Sequence, residues 1–264
     1  MKKKSDKKIA LVLGGGSARG IAHIGVLKVL KYHNIPIDFV VGTSIGSLMG
    51  AVYALDIPLA KVEKIALKTN WWNLTDFVIS RMGFLEGMNL EKLIREITEN
   101  KGFEDLKIPL AIVTNDIENG EEIVFTTGNL RKVIRASCSV PGVFIPVRLG
   151  GKLLVDGGLK SSVSSEVARR MGADFIIAVD VGFCIRKGRI SNIFQVLFQS
   201  IQIIGNELNK HQSKQADEVI KVHLSDDIDQ MAFHKAAEII LAGERAVEEA
   251  IGPLLSHMKE EGLV

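Results

Sequence analysis

The stretch IALVLGGGSARG, residues 9–20, decides the architecture. Its first five residues are apolar and end at three consecutive glycines, as a buried strand of a parallel sheet does. Apolar side chains then recur at helical spacing at Ile21, Ile24, Leu27 and Leu30. A strand that passes through a glycine-rich turn into a helix begins a βαβ unit and predicts a parallel sheet.

The same alternation continues along the chain. Further strands are predicted over Ile37–Val41, Ile108–Val113, Glu121–Thr127, Lys152–Val155, Phe175–Val181 and Glu218–Leu224. Helical patterns fill residues 45–55, 190–209 and 232–262. We therefore expect an α/β fold, with a mostly parallel sheet and helices on both faces.

A single domain is the expected organisation of the 264 residues. Residues 1–8 form a basic tail, and residues 9–264 form the domain. Its least regular segment, about 56–107, is expected to be a cap-like insertion over the site. Within it, Trp71-Trp72 is open to two interpretations, a membrane-interface anchor or core filling. The apolar face predicted over 190–208 is expected to cover the sheet.

Composition argues against several classes of function. The net charge of +2 gives no basis for nucleic-acid binding. Cys138 and Cys184 form neither a CxxC pair nor a Cys/His cluster, so no metal site is expected. No apolar run is long enough for a signal peptide or a membrane span. We expect a cytoplasmic protein whose lysine-rich tail contacts the inner membrane surface reversibly, and the sequence indicates no oligomeric state.

The pentapeptide Gly42-Thr43-Ser44-Ile45-Gly46 lies between a predicted strand and a predicted helix. In that setting a G-x-S-x-G sequence is typical of a nucleophile elbow, a sharp turn that exposes a strained serine. The alternative is an ordinary strand-to-helix turn with a serine cap. We interpret Ser44 as the candidate nucleophile, with Gly42 and Gly46 as the glycines that the turn requires.

The loop Gly14–Gly20 allows three interpretations. A Walker-type phosphate loop needs a lysine that is absent, and a dinucleotide loop needs glycine where Arg19 stands. No cofactor is therefore expected. The third interpretation is an oxyanion hole, formed by backbone N–H groups of Gly14, Gly15 and Gly16. Arg19 is expected either to shape this loop or to favour an anion by its charge.

Asp156 begins an Asp156-Gly157-Gly158 turn at the end of a predicted strand. A carboxylate within hydrogen-bond reach of a serine hydroxyl can take its proton directly, although an Asp-Gly turn alone is a weak signal. A conventional triad is disfavoured, because no later histidine lies in a glycine-rich loop at a strand end. These later histidines are His211, His223, His234 and His257, and the earlier His23 is expected to be structural.

Together the three motifs resemble those of the patatin-like phospholipase family, above all its short bacterial members. The matching patterns are G-G-G-x-x-R-G at residues 14–20, G-x-S-x-G at 42–46 and D-G-G at 156–158. Their order and spacing match over roughly residues 8–225. The resemblance implies a Ser44–Asp156 dyad, an oxyanion hole in the glycine loop, and hydrolysis of lipid acyl esters through an acyl-enzyme.

One departure from the family pattern concerns the residues after the Asp-Gly-Gly turn. Many members have an Asn-x-Pro segment that braces this turn, whereas residues 159–164 here read LKSSVS. We therefore expect the dyad to be held differently. The departure also supports an alternative function, a non-catalytic regulator that keeps the fold and binds a lipid or protein.

Overall fold

The computed structural model describes residues 7–182, 190, 193–212 and 215–264, without the side chains of 194, 198 and 209–212. Cys184, the side chain of His211 and tail residues Lys2, Lys3 and Lys4 lie outside the described residues. Lys7 is held by an ion pair with Glu261, at 2.8 Å. The described end of the predicted basic tail is therefore attached to the domain.

The strands are β1 (Ile9–Leu13), β2 (Phe39–Thr43), β3 (Gly83–Leu85), β4 (Leu110–Asp116), β5 (Glu121–Phe125), β6 (Gly142–Phe144), β7 (Val147–Leu149), β8 (Lys152–Asp156), β9 (Phe175–Asp180) and β10 (Glu218–Lys221). The α-helices are α1 (Ala22–Tyr32), α2 (Ile45–Ala54), α3 (Leu59–Ala66), α4 (Trp71–Leu74), α5 (Met88–Ile97), α6 (Leu130–Ser137), α7 (Ser165–Arg170), α8 (Ile193–Gln212) and α9 (Ala236–Glu260). Short 3-10 turns cover Ser17–Ile21, Phe103–Asp105, Gly157–Leu159 and Phe233–Lys235.

The main sheet follows the order β10-β9-β1-β2-β4-β8-β7, with β5 on the other side of β4. The strands from β10 to β4 run parallel. In contrast, β4 pairs antiparallel with β5 and β8, and β8 pairs antiparallel with β7. The predicted α/β class with a mostly parallel sheet is confirmed.

Alternation along β1 divides the buried side chains between the two faces of the sheet. Leu11 and Leu13 belong to the larger core cluster, which also contains residues of α1, α2 and α9. Ala10 and Val12 belong to a smaller cluster with Val167 of α7 on the opposite face. Helices therefore cover both faces, as expected from a buried parallel strand.

The ends of β2 and β8 meet along one flank of β4. Thr43 is in register with Val113, and Asp156 is in register with Thr114, the next residue of β4. The two strands approach this point from opposite directions, because β2 is parallel and β8 antiparallel to β4. Ser44, which follows Thr43, is thereby brought to Asp156.

Helix α8 departs from the sequence prediction. Its main contacts among the described residues are with β6 and the turn Gly157–Leu159, whereas we expected it to cover the main sheet. Several apolar side chains of α8 are consequently exposed, namely Ile193, Val196, Ile203, Ile204 and Leu208. Within the described ranges, no helix combines the length and the apolar character that crossing a membrane requires.

Candidate active site

Ser44 lies in a turn that depends on its two flanking glycines. Its backbone has φ 54° and ψ −128°, a conformation that residues with side chains seldom adopt. A β-carbon on Gly46 would lie 2.1 Å from the carbonyl oxygen of Leu13, and one on Gly42 would lie 2.5 Å from that of Gly46. Such close packing requires glycine at both positions and holds the serine in a strained conformation.

The hydroxyl of Ser44 donates a hydrogen bond to Asp156. Its Oγ lies 2.6 Å from Oδ2 of Asp156, whose Oδ1 accepts from the N–H of Gly158 at 2.8 Å. Burial raises the pKa of Asp156 to about 6, although the hydrogen bonds from Ser44 and Gly158 oppose that shift. The carboxyl group is therefore mostly ionised at neutral pH, in position to accept the serine proton.

Asn115, near the end of β4, braces the Asp156-Gly157-Gly158 turn, and the sequence analysis did not identify it. Its buried amide donates to the carbonyl oxygens of Asp156 and Gly157, each at 2.9 Å. It thus performs a bracing role like that of the absent Asn-x-Pro segment. The sequence feature that could have identified Asn115 is its position as a polar residue at the carboxyl end of a predicted buried strand.

The end of α6 supports both members of the pair, and no sequence motif indicated this contribution. Oγ of Ser137 accepts from the backbone N–H of Ser44 at 2.8 Å and donates to the carbonyl oxygen of Val113 at 2.7 Å. The carbonyl oxygen of Ser139 accepts from the N–H of Asp156 at 3.0 Å. Helix α6 therefore fixes the backbone on both sides of the hydrogen bond between Ser44 and Asp156.

Two of the three predicted donors of the glycine loop have hydrogen-bond partners within the fold. The N–H groups of Gly14 and Gly15 donate to the carbonyl oxygens of Val179 and Ser162, each at 3.1 Å, so they are engaged within the fold. Within the described part of the chain, the N–H groups of Gly16 and Ser17 have no hydrogen-bond partner. Both residues line the cavity at Ser44. The available donors are therefore those of Gly16 and Ser17.

Two buried side chains hold the glycine loop in place by hydrogen bonds to backbone carbonyl oxygens. The guanidinium of Arg19 donates to the carbonyl oxygens of Val181 and Ile228, at 3.0 and 2.7 Å. Nε2 of His23 lies 2.8 Å from the carbonyl oxygen of Gly14, and burial lowers the pKa of His23 to about 4. His23 is therefore neutral and donates from Nε2. Of the two roles considered for Arg19, these contacts favour shaping the loop.

The cavity at Ser44 has a volume of about 50 Å³. Its lining comes from the glycine loop, the Asp156 turn, the segment after α6 and helix α8, which supplies Ile201 and Gln202. No histidine is found among the described lining residues, and none belongs to the 56–107 segment. The cap role of that segment stays a prediction. The observed volume accommodates a water molecule but no acyl chain.

The strained serine turn, the aspartate bonded directly to the serine hydroxyl and the glycine loop lie together on one α/β sheet, an arrangement typical of α/β folds with a serine-based site. The family model described as patatin-like phospholipase matches residues 11–169. The chain belongs to the patatin-like phospholipase family, as the sequence motifs predicted.

Similar proteins agree with this assignment. Lysophospholipase NTE1 of Debaryomyces hansenii is 35% identical over 184 residues, which are 67% of this chain and 12% of that protein. Patatin-like phospholipase domain-containing protein 6 of Homo sapiens is 38% identical over 184 residues, 66% of this chain and 13% of the human protein. The chain thus spans only a small part of these relatives.

The fold is also similar to that of solved structures. VipD from Legionella pneumophila aligns with a TM-score of 0.52 at 12% identity, over 94% of this chain and 67% of that chain. The type III effector ExoU gives a TM-score of 0.52 at 14% identity, over 95% of this chain and 54% of that chain. These similarities support the fold.

Proposed function

We propose that this chain is a serine acyl hydrolase that cleaves carboxylic esters of lipids, with Ser44 as nucleophile and Asp156 as base. The observation that carries the proposal is the 2.6 Å hydrogen bond from Oγ of Ser44 to Oδ2 of Asp156. A serine hydroxyl is a weak nucleophile until a neighbouring base takes its proton. The names of the relatives, lysophospholipase and patatin-like phospholipase, favour a phospholipid or lysophospholipid substrate.

The reaction proceeds through an acyl-enzyme. Asp156 accepts the hydroxyl proton as Oγ of Ser44 attacks the ester carbonyl carbon, and the carbonyl oxygen becomes negatively charged. When this tetrahedral intermediate collapses, the bond to the alcohol breaks and Asp156 gives its proton to the leaving oxygen. Water, deprotonated by Asp156, then attacks the acyl-enzyme, and Ser44 leaves with that proton.

The negative oxygen of the intermediate is stabilised by the N–H groups of Gly16 and Ser17. Both residues line the cavity at Ser44, and neither N–H is used within the described part of the fold. Loss of one such donor typically lowers kcat by about 10²–10³-fold. Arg19 and His23 support this stabilisation indirectly, by holding the loop in place. Arg19 donates to the carbonyl oxygen of Val181, and His23 donates to that of Gly14.

Access of a lipid to Ser44 implies reversible contact with a membrane surface, and we infer a cytoplasmic protein that binds the membrane peripherally. Trp71 packs against Phe233, with ring centroids 6.4 Å apart, whereas Trp72 is 73% exposed. Of the two tryptophans, Trp72 is thus available as an interface anchor.

A fluorophosphonate probe tests the assignment of the nucleophile. We expect the probe to label Ser44, and the Ser44→Ala protein to lose labelling and ester turnover while keeping its melting temperature. Ser162→Ala is the matched control, because Ser162 also lines the cavity. Labelling at Ser162 or Ser17, or normal turnover by Ser44→Ala, would overturn the proposal.

The alternative function, a regulator that binds a lipid or protein without catalysis, predicts a different outcome. Its sequence support was the missing Asn-x-Pro segment, and Asn115 supplies a brace for the same turn. If the folded protein neither reacts with the probe nor hydrolyses any acyl ester, the regulator becomes the better assignment.

A further inference from the structure

A hollow with a volume of about 620 Å³ lies between α3, α4 and α5. It is distinct from the cavity at Ser44, with which it shares no lining residue. Its charged lining residues are Lys61, Lys64, Lys68, Lys92 and Glu96. The hollow is thus large enough for a small ligand, and its lining carries an excess of positive charge.

Three of these lysines lack an acidic partner. Lys61 is bonded to Glu99 at 2.8 Å. In the ranges that the structure describes, Lys64, Lys68 and Lys92 form no ion pair, although Lys92 donates to Oδ1 of Asn89 at 3.3 Å. Neighbouring ammonium groups repel one another, and an anion between them removes that repulsion. The hollow therefore favours an anionic ligand.

Neutral groups in the hollow suit the same ligand. Asn73 and Asn89 line it beside the lysines, while Ile65 and Leu93 provide apolar lining. Each amide donates one N–H within the fold, to the carbonyl oxygens of Lys68 and Thr75, and its second N–H can supplement the ammonium groups in binding phosphate oxygens. A phosphate group attached to an apolar body matches this combination of polar and apolar lining.

The segment between α4 and α5, the two helices that border the hollow, carries exposed apolar side chains. Trp72 directly precedes the lining residue Asn73, and Met88 directly precedes Asn89. The exposed large apolar side chains from α4 to the start of α5 are Trp72 (73%), Phe77 (64%), Val78 (36%), Ile79 (105%), Met82 (52%), Phe84 (43%) and Met88 (52%). Exposed aromatic and aliphatic groups beside free lysines are typical of a surface that lies in the headgroup layer of a bilayer.

The hollow lies on the side of the sheet where Ser44 is found. It shares Ile65, Thr69 and Leu93 with a small apolar cavity that Ile45 also lines, and Ile45 directly follows Ser44. The exposed segment is also connected to the cavity at Ser44, because β3 pairs with β6 and Pro141 before β6 lines that cavity. The hollow and the exposed segment are therefore linked to the cavity at Ser44 through neighbouring residues.

We propose that Lys64, Lys68 and Lys92 bind the phosphate group of an anionic phospholipid in a membrane, while the exposed residues from Trp72 to Met88 insert beside it. This lipid is a docking ligand and differs from the ester cleaved at Ser44. The inference rests on the proposed action at a lipid surface. It is tested by binding to the Ser44→Ala protein, so its failure is distinguishable from failure of the catalytic assignment.

Flotation with vesicles measures this binding. The vesicles contain phosphatidylcholine alone or phosphatidylcholine with phosphatidic acid. The test variant carries Lys64→Gln, Lys68→Gln and Lys92→Gln. We expect its partition onto the anionic vesicles to fall roughly five-fold for each lysine, and so about 100-fold in total. Binding to phosphatidylcholine alone is expected to be weak for all proteins.

The matched control carries the same change of charge away from the hollow, at the exposed residues Lys107, Lys221 and Lys259. We expect at most a small loss of binding, because charges outside the contact are screened beyond about 10 Å. Equal losses in the two triple variants, or no loss in the test variant, would overturn the proposal. Melting temperatures establish that all variants are folded.

A soluble phosphate is the competing source of the same chemistry. Acetylation of lysines, followed by mass spectrometry, distinguishes the two sources. We expect anionic vesicles to protect Lys64, Lys68 and Lys92, and inorganic phosphate or glycerol phosphate in solution to leave them reactive. Equal protection by these soluble phosphates would assign the hollow to a soluble ligand and overturn the membrane proposal.

Discussion

At the scale of single residues, the proposed mechanism depends on the environment of one carboxyl group. Asp156 is 7% exposed, and its burial is the main cause of its raised pKa. The group must be ionised to take the proton of Ser44. A pKa near neutrality suits a general base, because it combines basicity with a substantial ionised fraction.

The pH profile follows from that pKa. We expect kcat/KM for a soluble, non-titrating ester to rise with pH through about 6, because the protonated form of Asp156 cannot act as a base. The rise should level off once the carboxyl group is ionised. Asp156→Asn should remove the inflection together with the activity. A profile without an inflection in this region would contradict the role of Asp156.

The hydrogen bonds from Asn115 to the Asp156-Gly157-Gly158 turn also act at the scale of a single residue. Asn115→Ala removes two hydrogen bonds to the turn that carries Asp156. We expect kcat to fall about 10- to 100-fold with little change in KM, since a lost buried partner costs roughly 1–3 kcal/mol. Asn119→Ala is the control, because Asn119 bonds Asp116 in the neighbouring hairpin turn. Equal kinetics for the two variants would show that the brace has no catalytic importance.

At the scale of elements, helix α8 forms part of the wall around Ser44. Ile201 and Gln202 of α8 line a cavity of about 50 Å³, while Ile203 and Ile204 are more than half exposed. We expect this helix to move when an acyl chain enters, because a lipid surface provides an environment for its exposed apolar side chains.

Turnover should therefore increase at an interface. We expect the specific activity toward a short-chain ester to rise several-fold when the ester forms micelles. We attribute this rise in activity to the exposed apolar residues of α8. The double variant Ile203→Ser with Ile204→Ser should therefore show a smaller rise. Activity that passes through the critical micelle concentration without a change would contradict this role of α8.

Elements that depend on a few neighbouring residues were predictable from the sequence. The strand Ile9–Leu13 was predicted at its observed bounds, because a wholly apolar run ending in glycines is a local signal. The antiparallel direction of β8 was not predictable, since it is determined by pairing with β4 and β7. The hydrogen bonds made by the N–H groups of Gly14 and Gly15 were also not predictable, because their partners come from distant segments.

At the scale of the whole molecule, α9 is joined to the edge of the sheet by His257. Its Nδ1 lies 2.6 Å from Oε1 of Glu218 in β10, and this hydrogen bond is the main reason that the pKa of His257 is raised. Glu261 and Asp217 add to the shift. The charged histidine therefore stabilises the folded chain.

The stability of the fold should depend on pH accordingly. A raised folded-state pKa gives a stabilisation that is fully present below the unfolded value of 6.5 and disappears as pH rises through the folded value. We expect His257→Gln to lower the melting temperature more in mild acid than at alkaline pH. The exposed His234→Gln serves as control. A loss that is independent of pH would contradict the ionic contribution.

Because β2 and β8 meet along β4, the chain can be divided into two fragments that each carry one member of the Ser44–Asp156 pair. Ser44 and Asp156 lie 112 positions apart, on opposite sides of the exposed hairpin turn at Gly120. A β-carbon on Gly120 would meet nothing within 4 Å, so a break in the chain there disturbs no packing. One fragment would then hold the nucleophile and β4, and the other would hold the base. Ester cleavage by such a split protein would report the association of its two halves.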